Sequence, residues 1–177
     1  MTKKELKEIL DRTAGQAEKL FKQDGSLSPV LFVYYTFEKE PGKEAESIGI
    51  IPIIDIGHRE AIMFAMGKMF LKNNKFKRVN AIAFVSEAWM SVQYPGKGTK
   101  NVLPSKDPDR IEIASITGMT DTRESALLVF EIKDKDNQGK RKFVKNEKAS
   151  NMSTIENRLL DRFWEGMGMV LKSGRYA

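Results

Sequence analysis

The chain of 177 residues contains no cysteine and a single histidine, His58. The first absence removes disulfide scaffolds, thiolate nucleophiles, cysteine-ligated zinc and iron–sulfur clusters. The second removes every site that needs two imidazoles, H-E-x-x-H zinc sites among them. A Ser-His-Asp triad would have to be built on His58. Long apolar runs are missing too. The longest, residues 48–56, is broken by Gly49, Pro52 and Asp55, and is far shorter than the roughly 20 residues of a membrane span. Residues 1–5 lead into no apolar stretch, so no secretory leader is expected. These absences predict a reducing, cytoplasmic setting without membrane contact, in which the sequon Asn151-Met152-Ser153 carries no glycan.

What remains is the composition of a globular protein: 41% hydrophobic, 31% charged, with 30 Lys and Arg against 24 Asp and Glu. The length suits one domain over 1–177, large enough to bury a core without a metal or disulfide staple. Thr2-Lys3-Lys4-Glu5 is a capping box. Leu6, Ile9, Leu10, Ala14, Ala17, Leu20 and Phe21 follow at helical spacing, and Asp24-Gly25 is a stop signal, which predicts a helix over 3–22. Residues 30–38 and 48–56 read as two strands of a hairpin joined by the polar stretch 38–46. Pro52 lacks a ladder donor, so its strand belongs at a sheet edge or on a bulge.

A second helix is expected over 58–73, with Ile62, Met66, Met69 and Phe70 as its buried stripe. Residues 79–92 are apolar on both faces and read as a central strand covered on both sides. Residues 110–121 and 125–133 form a further hairpin, followed by a short basic strand over 141–145. A second capping box, Ser153-Thr154-Ile155-Glu156, opens a last helix carrying Ile155, Leu159, Phe163, Met167, Val170 and Leu171. The order α-β-β-α-β-β-β-β-α argues for an α+β fold with helices packed on a mostly antiparallel sheet.

Complete catalytic signatures are scarce. His58-Arg59-Glu60 at a strand-to-helix junction is similar to the His-x-Glu of nucleobase deaminases, whose zinc is completed by two cysteines. With no cysteine, zinc-dependent deamination is excluded, and both residues are expected simply to occupy a helix's first turn. Gly96-Lys97-Gly98-Thr99-Lys100 lacks the spacing of a phosphate loop, and Gly166-Met167-Gly168 lacks the third glycine of a dinucleotide fingerprint. Pro108-Asp109 followed by Glu131-Ile132-Lys133 fits the loose P-D…(D/E)-x-K pattern of a large nuclease superfamily. In that chemistry two carboxylates hold Mg²⁺ and a lysine stabilises the attacking hydroxide or the phosphate. Asp109, Glu131 and Lys133 are therefore the candidate catalytic residues, although the pattern is short in so charged a chain.

Glu87 stands out because it lies between Val85 and Trp89 on an otherwise apolar strand face. It is either paired with a cation at the rim of the core or a functional carboxylate at a pocket edge. Pro104 and Pro108 restrict the approach to the next strand, and Ser105 and Asp107 can bond nearby backbone. That half of the connection should be ordered, and residues 94–101 mobile. Antiparallel pairing across the connection would set Glu87, Trp89, Arg110 and Glu112 on one face, with Arg110 reaching Glu87 or Glu112. Glu87-Ala88-Trp89 followed by P-S-x-D-P-x-R-x-E resembles a pattern in uncharacterised bacterial and bacteriophage proteins, over about 26 residues. The resemblance implies that Glu87, Trp89, Asp107, Arg110 and Glu112 form one unit, and it brings no activity, cofactor or substrate.

Two basic clusters complete the reading. Lys68, Lys72, Lys75, Lys77 and Arg78 have no acid among them, and Lys133, Lys135, Lys140, Arg141, Lys142, Lys145 and Lys148 outnumber Asp134, Asp136 and Glu147. Each reads first as a solvated face, with a surface for nucleic acid as the alternative. The expectation that follows is a non-catalytic association protein forming a homo-oligomer, with Phe163, Trp164, Met167 and Met169 extending past one core. It needs no cofactor. The alternative is the nuclease, which requires Mg²⁺.

Overall fold

The computed structural model describes residues 1–55, 57–73, 75–91, 103–133, 142–147, 149–150 and 157–168. In chain order they form α1 (Lys3–Asp24), β1 (Val30–Glu40), β2 (Lys43–Pro52), α2 (Arg59–Lys72), β3 (Phe76–Met90), a 3-10 turn (Pro104–Lys106), β4 (Ile111–Thr120), β5 (Ser125–Lys133), β6 (Lys142–Lys145) and α3 (Arg158–Gly166). The six strands make one sheet in the order β2-β1-β3-β4-β5-β6, with every adjacent pair antiparallel. This is the α+β arrangement expected from the sequence. No helix among the described residues is long and apolar enough to cross a membrane.

The capping signals of α1 work as their chemistry requires. The Glu5 amide donates to Thr2 Oγ1 at 3.3 Å, and the Glu5 carboxylate accepts from the Thr2 amide at 2.6 Å. The bond from the Thr2 amide, joined by one from the Thr2 hydroxyl at 3.0 Å, favours the charged form and holds the Glu5 carboxyl below its usual range. Gly25 ends the helix in the left-handed region at φ 73°, its amide donating to the Phe21 carbonyl.

The sheet is covered on both faces. Phe32, Tyr34, Ala81, Ala83, Val85, Ala114, Ile116, Ala126 and Leu128 meet Leu6, Ile9, Leu10, Ala17 and Phe21 of α1. On the other face Leu31, Val33, Ile82 and Met119 meet Met63 and Phe70 of α2 and Leu160, Phe163 and Trp164 of α3. Alternate residues of β3 thus feed two separate cores, which is why both of its faces read as apolar. Between Tyr34 and Tyr35 the β1–β3 register shifts, opposite Ala81 and Val79. The bulge gives Asn80 a 2.9 Å bond to the Thr36 hydroxyl and turns Val79 toward α2 and α3.

Two expected boundaries and one expected buried stripe are corrected. β2 runs from Lys43 to Pro52 instead of 48–56, and the polar stretch expected as a connection is ladder apart from the turn at Pro41-Gly42, where Gly42 has φ 76°. Polar alternation is tolerated there because Glu44 and Glu46 lie on an exposed edge. The buried stripe of α2 is Met63, Gly67 and Phe70; Met69 is 53% exposed, and Ile62 and Met66 only partly covered. Gly67 decides that rotation, since a Cβ there would lie 2.0 Å from the Phe163 carbonyl oxygen, and one on Gly166 would lie 2.1 Å from the Phe64 oxygen. Two glycines let the backbones of α2 and α3 touch. Third, α3 is described from Arg158, capped by the Asn157 side chain accepting from the Leu160 amide; the expected box at 153–156 lies outside the described residues.

A second tie fastens α3 to the sheet. Arg123, in the β4–β5 turn, has φ 66°, a conformation normally left to glycine. Its guanidinium donates at 2.5 Å to Asp161, an α3 carboxylate only 8% exposed. Such backbone strain, about 1–3 kcal/mol, persists where surrounding contacts outweigh it.

The glycine crossing yields a paired prediction. Gly67→Ala should cost about 3 kcal/mol or more, because both obstructing groups are backbone. Gly15→Ala, on an open face of α1 with nothing near the added methyl, should stabilise by about 0.5–1 kcal/mol. Urea midpoints of the two variants against the parent check both signs.

Candidate functional site

The five residues of the E-A-W…P-S-x-D-P pattern meet at one end of the β3–β4 ladder. Trp89 lies directly opposite Glu112 and Glu87 opposite Ala114, so Glu87, Trp89 and Glu112 share the α1 face as the parity argument required. Asp107 is wholly buried, and its carboxylate accepts from the Asp109 amide at 2.9 Å while the Arg110 amide donates to its carbonyl at 3.2 Å. With Lys106 donating to the Leu103 carbonyl, two successive turns deliver the chain into β4. The proline-rich half of the connection is therefore ordered from residue 103, while residues 94–101 lie outside the described residues.

Arg110 and Glu87 have partners other than the expected ones. The Arg110 guanidinium sits 4.5 Å from the Trp89 ring centre and donates to the Ser105 carbonyl. Among the described residues it makes no ion pair with Glu87 or Glu112. A carboxylate was expected because charge pairs with charge, but Trp89 is 43% exposed and offers a flat face that a planar cation covers at little desolvation cost. Glu87 is part-buried and accepts at 2.5 Å from the Leu27 amide, where the chain leaves α1 for β1. That bond holds the connection against the sheet.

The nuclease candidates are only partly assembled. Glu131 lies opposite Ile113, so register places Glu131 and Lys133 toward the end of β4 that Asp109 precedes. One Glu131 oxygen pairs with Lys133 and the other accepts from Asn146 Nδ2 at 2.9 Å. No group of three acids or histidines suited to a metal exists among the described residues.

His58 and Glu60 stand at the start of α2. Asp55 carries this junction: its carboxylate accepts from the Gly57 and His58 amides at 2.9 and 3.3 Å, and meets His58 Nδ1 at 2.8 Å. The bonds from His58, side chain first, hold the Asp55 carboxyl below its ordinary range. Glu60 pairs with Arg158 of α3. The Asp-x-x-His spacing could have revealed the first of these pairs, and nothing in the sequence signalled the second.

Half of the basic side chains described in the two clusters hold carboxylates. Lys77 pairs with Glu38, Arg78 with Asp121, Lys133 with Glu131 and Lys145 with Glu147. Lys68 lies over the Phe64 ring, and Lys135, Lys140, Arg141 and Lys148 are outside the described residues.

A cleft between α1 and β2 has no signature in the sequence. It holds about 350 Å³ and is lined by Glu8, Ile9, Arg12, Tyr34 and Ile48 among others. The Tyr34 hydroxyl meets Thr13 Oγ1 at 2.5 Å beneath the Arg12 guanidinium. Burial pushes the Tyr34 phenol above its usual value.

No protein-family model matches the chain, and no curated protein or solved structure matches it.

Two predictions test these assignments. Arg110→Ala should cost about 1 kcal/mol or less, the value of an exposed cation–ring contact. It should raise iodide quenching of Trp89 and leave the fully buried Trp164 unchanged. In an alkaline titration followed at 295 nm, Tyr34 should ionise above the ordinary tyrosine range, and Tyr34→Phe should remove that late phase. The raised value means the unfolded chain ionises first. The contribution of Tyr34 to stability is thus complete below pH ~10 and lost as pH rises through the folded-state value.

Proposed function

We propose that the protein acts by association, as a cytoplasmic homo-oligomer, and not by catalysis. The observation that carries this reading is the apolar surface at the β2 end of the sheet, where Ile48, Ile50 and Ile54 are 40%, 52% and 90% exposed. Ile48 and Ile50 stand opposite Tyr34 and Phe32, on the α1 face of the sheet, but α1 packs over β3, β4, β5 and β6 and leaves them open. Grouped apolar exposure of this kind marks contact surfaces more than solvated ones. The aromatic residues expected to extend past the core do not serve this role, since Phe163 and Trp164 are wholly buried.

Static light scattering across a concentration series should give a mass above that of the 20.1 kDa chain. A strict monomer at all concentrations overturns the reading. The nuclease alternative keeps one supporting observation, the shared ladder end of Asp109, Glu131 and Lys133. It requires Mg²⁺-dependent cleavage of DNA or RNA that disappears in Glu131→Ala, and we expect no such cleavage. Nucleic acid is the weaker partner class, because four of the basic side chains that would track phosphates already hold carboxylates.

A further inference from the structure

The two edges of the sheet are built differently. β6 is four residues long and opens and closes on lysine, Lys142 and Lys145, the usual defence of an exposed edge. β2 is ten residues long, pairs with β1 without a bulge from Glu44 to Pro52, and carries no charge from Ser47 to Pro52. Its charged residues, Lys43, Glu44 and Glu46, all lie near the hairpin turn.

The backbone of β2 can be sorted by its bonds. The Ile53 amide donates to the Pro29 carbonyl at 2.8 Å. In an antiparallel ladder each residue turns both its N–H and its C=O to the same side, alternating along the strand. With Ile53 bonded toward β1, Ile51, Gly49 and Ser47 also bond inward, and Ile50, Ile48 and Glu46 present their groups outward. Pro52 falls on the outward set, where its missing N–H breaks no bond to β1.

We infer that β2 is a two-fold self-association edge, pairing antiparallel with β2 of a second copy of this chain about Gly49. The inference rests on the self-association proposed above and names its interface. In that register Ile48 of each copy faces Ile50 of the other. Both have outward N–H and C=O groups, so they form hydrogen-bonded pairs. Glu46 faces Pro52, its amide donating to the Pro52 carbonyl while its own carbonyl, at the end of the ladder, is left to water. No like charges meet. The two-fold axis runs perpendicular to the sheet, so all four isoleucines gather on the α1 face, beside the cleft that Ile48 helps to line in each copy. Centring the axis on Ile48 would instead set Glu46 against Ile50, and centring it on Ile50 would shorten the ladder. The occupant is a second copy because this strand is complementary to itself: apolar residue to apolar residue, donor to acceptor.

Because the chain has no cysteine, a single introduced thiol reports the axis. Gly49→Cys places a Cβ in ordinary contact with the Tyr35 ring, 3.6 Å away. Across the axis the two copies form a non-hydrogen-bonded pair with Cα atoms ~4.5 Å apart, within the span of a disulfide. Under mild oxidation by diamide the full-length variant should run as a covalent dimer on non-reducing gels. Lys39→Cys, at an exposed position away from the axis, should not. Ile50→Lys and Ile50→Pro, each checked for native circular dichroism, should weaken the oligomer at least about tenfold in light scattering. An oligomer whose mass is unchanged in both isoleucine variants, with no cross-link in Gly49→Cys, overturns the β2 interface and leaves the proposed self-association standing. A monomeric parent overturns both. A monomer with the Ile48 and Ile50 amides protected from hydrogen exchange shows the chain's own residues covering the edge, which also overturns the inference.

Discussion

The burial of β3 on both faces is the constraint from which the architecture follows. Ala81, Ala83 and Val85 point to one side and Ile82 and Phe84 to the other, so a helical layer on one face alone would leave an apolar surface in water. α1 covers the first face along most of the sheet. The second is covered by α2, which lies between β2 and β3 in the chain, and α3, which follows β6, so the two have to be brought together there. The strand order places β3 beside β1 and β4, near the middle of the sheet, where two-sided cover is achievable.

The joint between α2 and α3 is correspondingly tight. Gly67 and Gly166 remove the side chains that would hold the helices apart, and Phe70 and Phe163 then meet with ring centres 5.9 Å apart. Arg123 and Asp161 connect that helical layer to the β4–β5 turn, in a backbone conformation that Arg123 adopts against its own preference. Packing, backbone approach and one part-buried ion pair act on the same small region. On the opposite face, α1 is set over the β3–β6 side of the sheet and away from β2, and this offset leaves one edge of the sheet apolar and open.

The pattern residues from Glu87 to Glu112 illustrate how a shared location differs from a shared task. Glu87 holds the α1–β1 connection, Asp107 organises a turn, and Arg110 covers Trp89. The Glu87 contact joins distant parts of the chain, whereas the Asp107 bond stays within its own turn. The unit is a corner of the fold, with Trp89 as its exposed face.

Much of this was legible in the sequence, because periodicity and capping are local. The helix stop at Gly25, the strand from Ser125 to Lys133, the edge position of Pro52 and the common face of Glu87, Trp89 and Glu112 all follow from side-chain period or from a missing donor. The start of β2 at Lys43 did not, because polar alternation reads as a loop until a partner strand is in place. The rotation of α2 did not either. Its residues are apolar around most of the circumference, so periodicity could not choose among Met63, Met66 and Met69, and the choice fell to Gly67 meeting the Phe163 backbone. Arg110 lies over an indole and not against a carboxylate for the same reason. The order of residues determines which groups are present and which face they share, whereas the distances that decide between a ring and a charge exist only after the chain has folded.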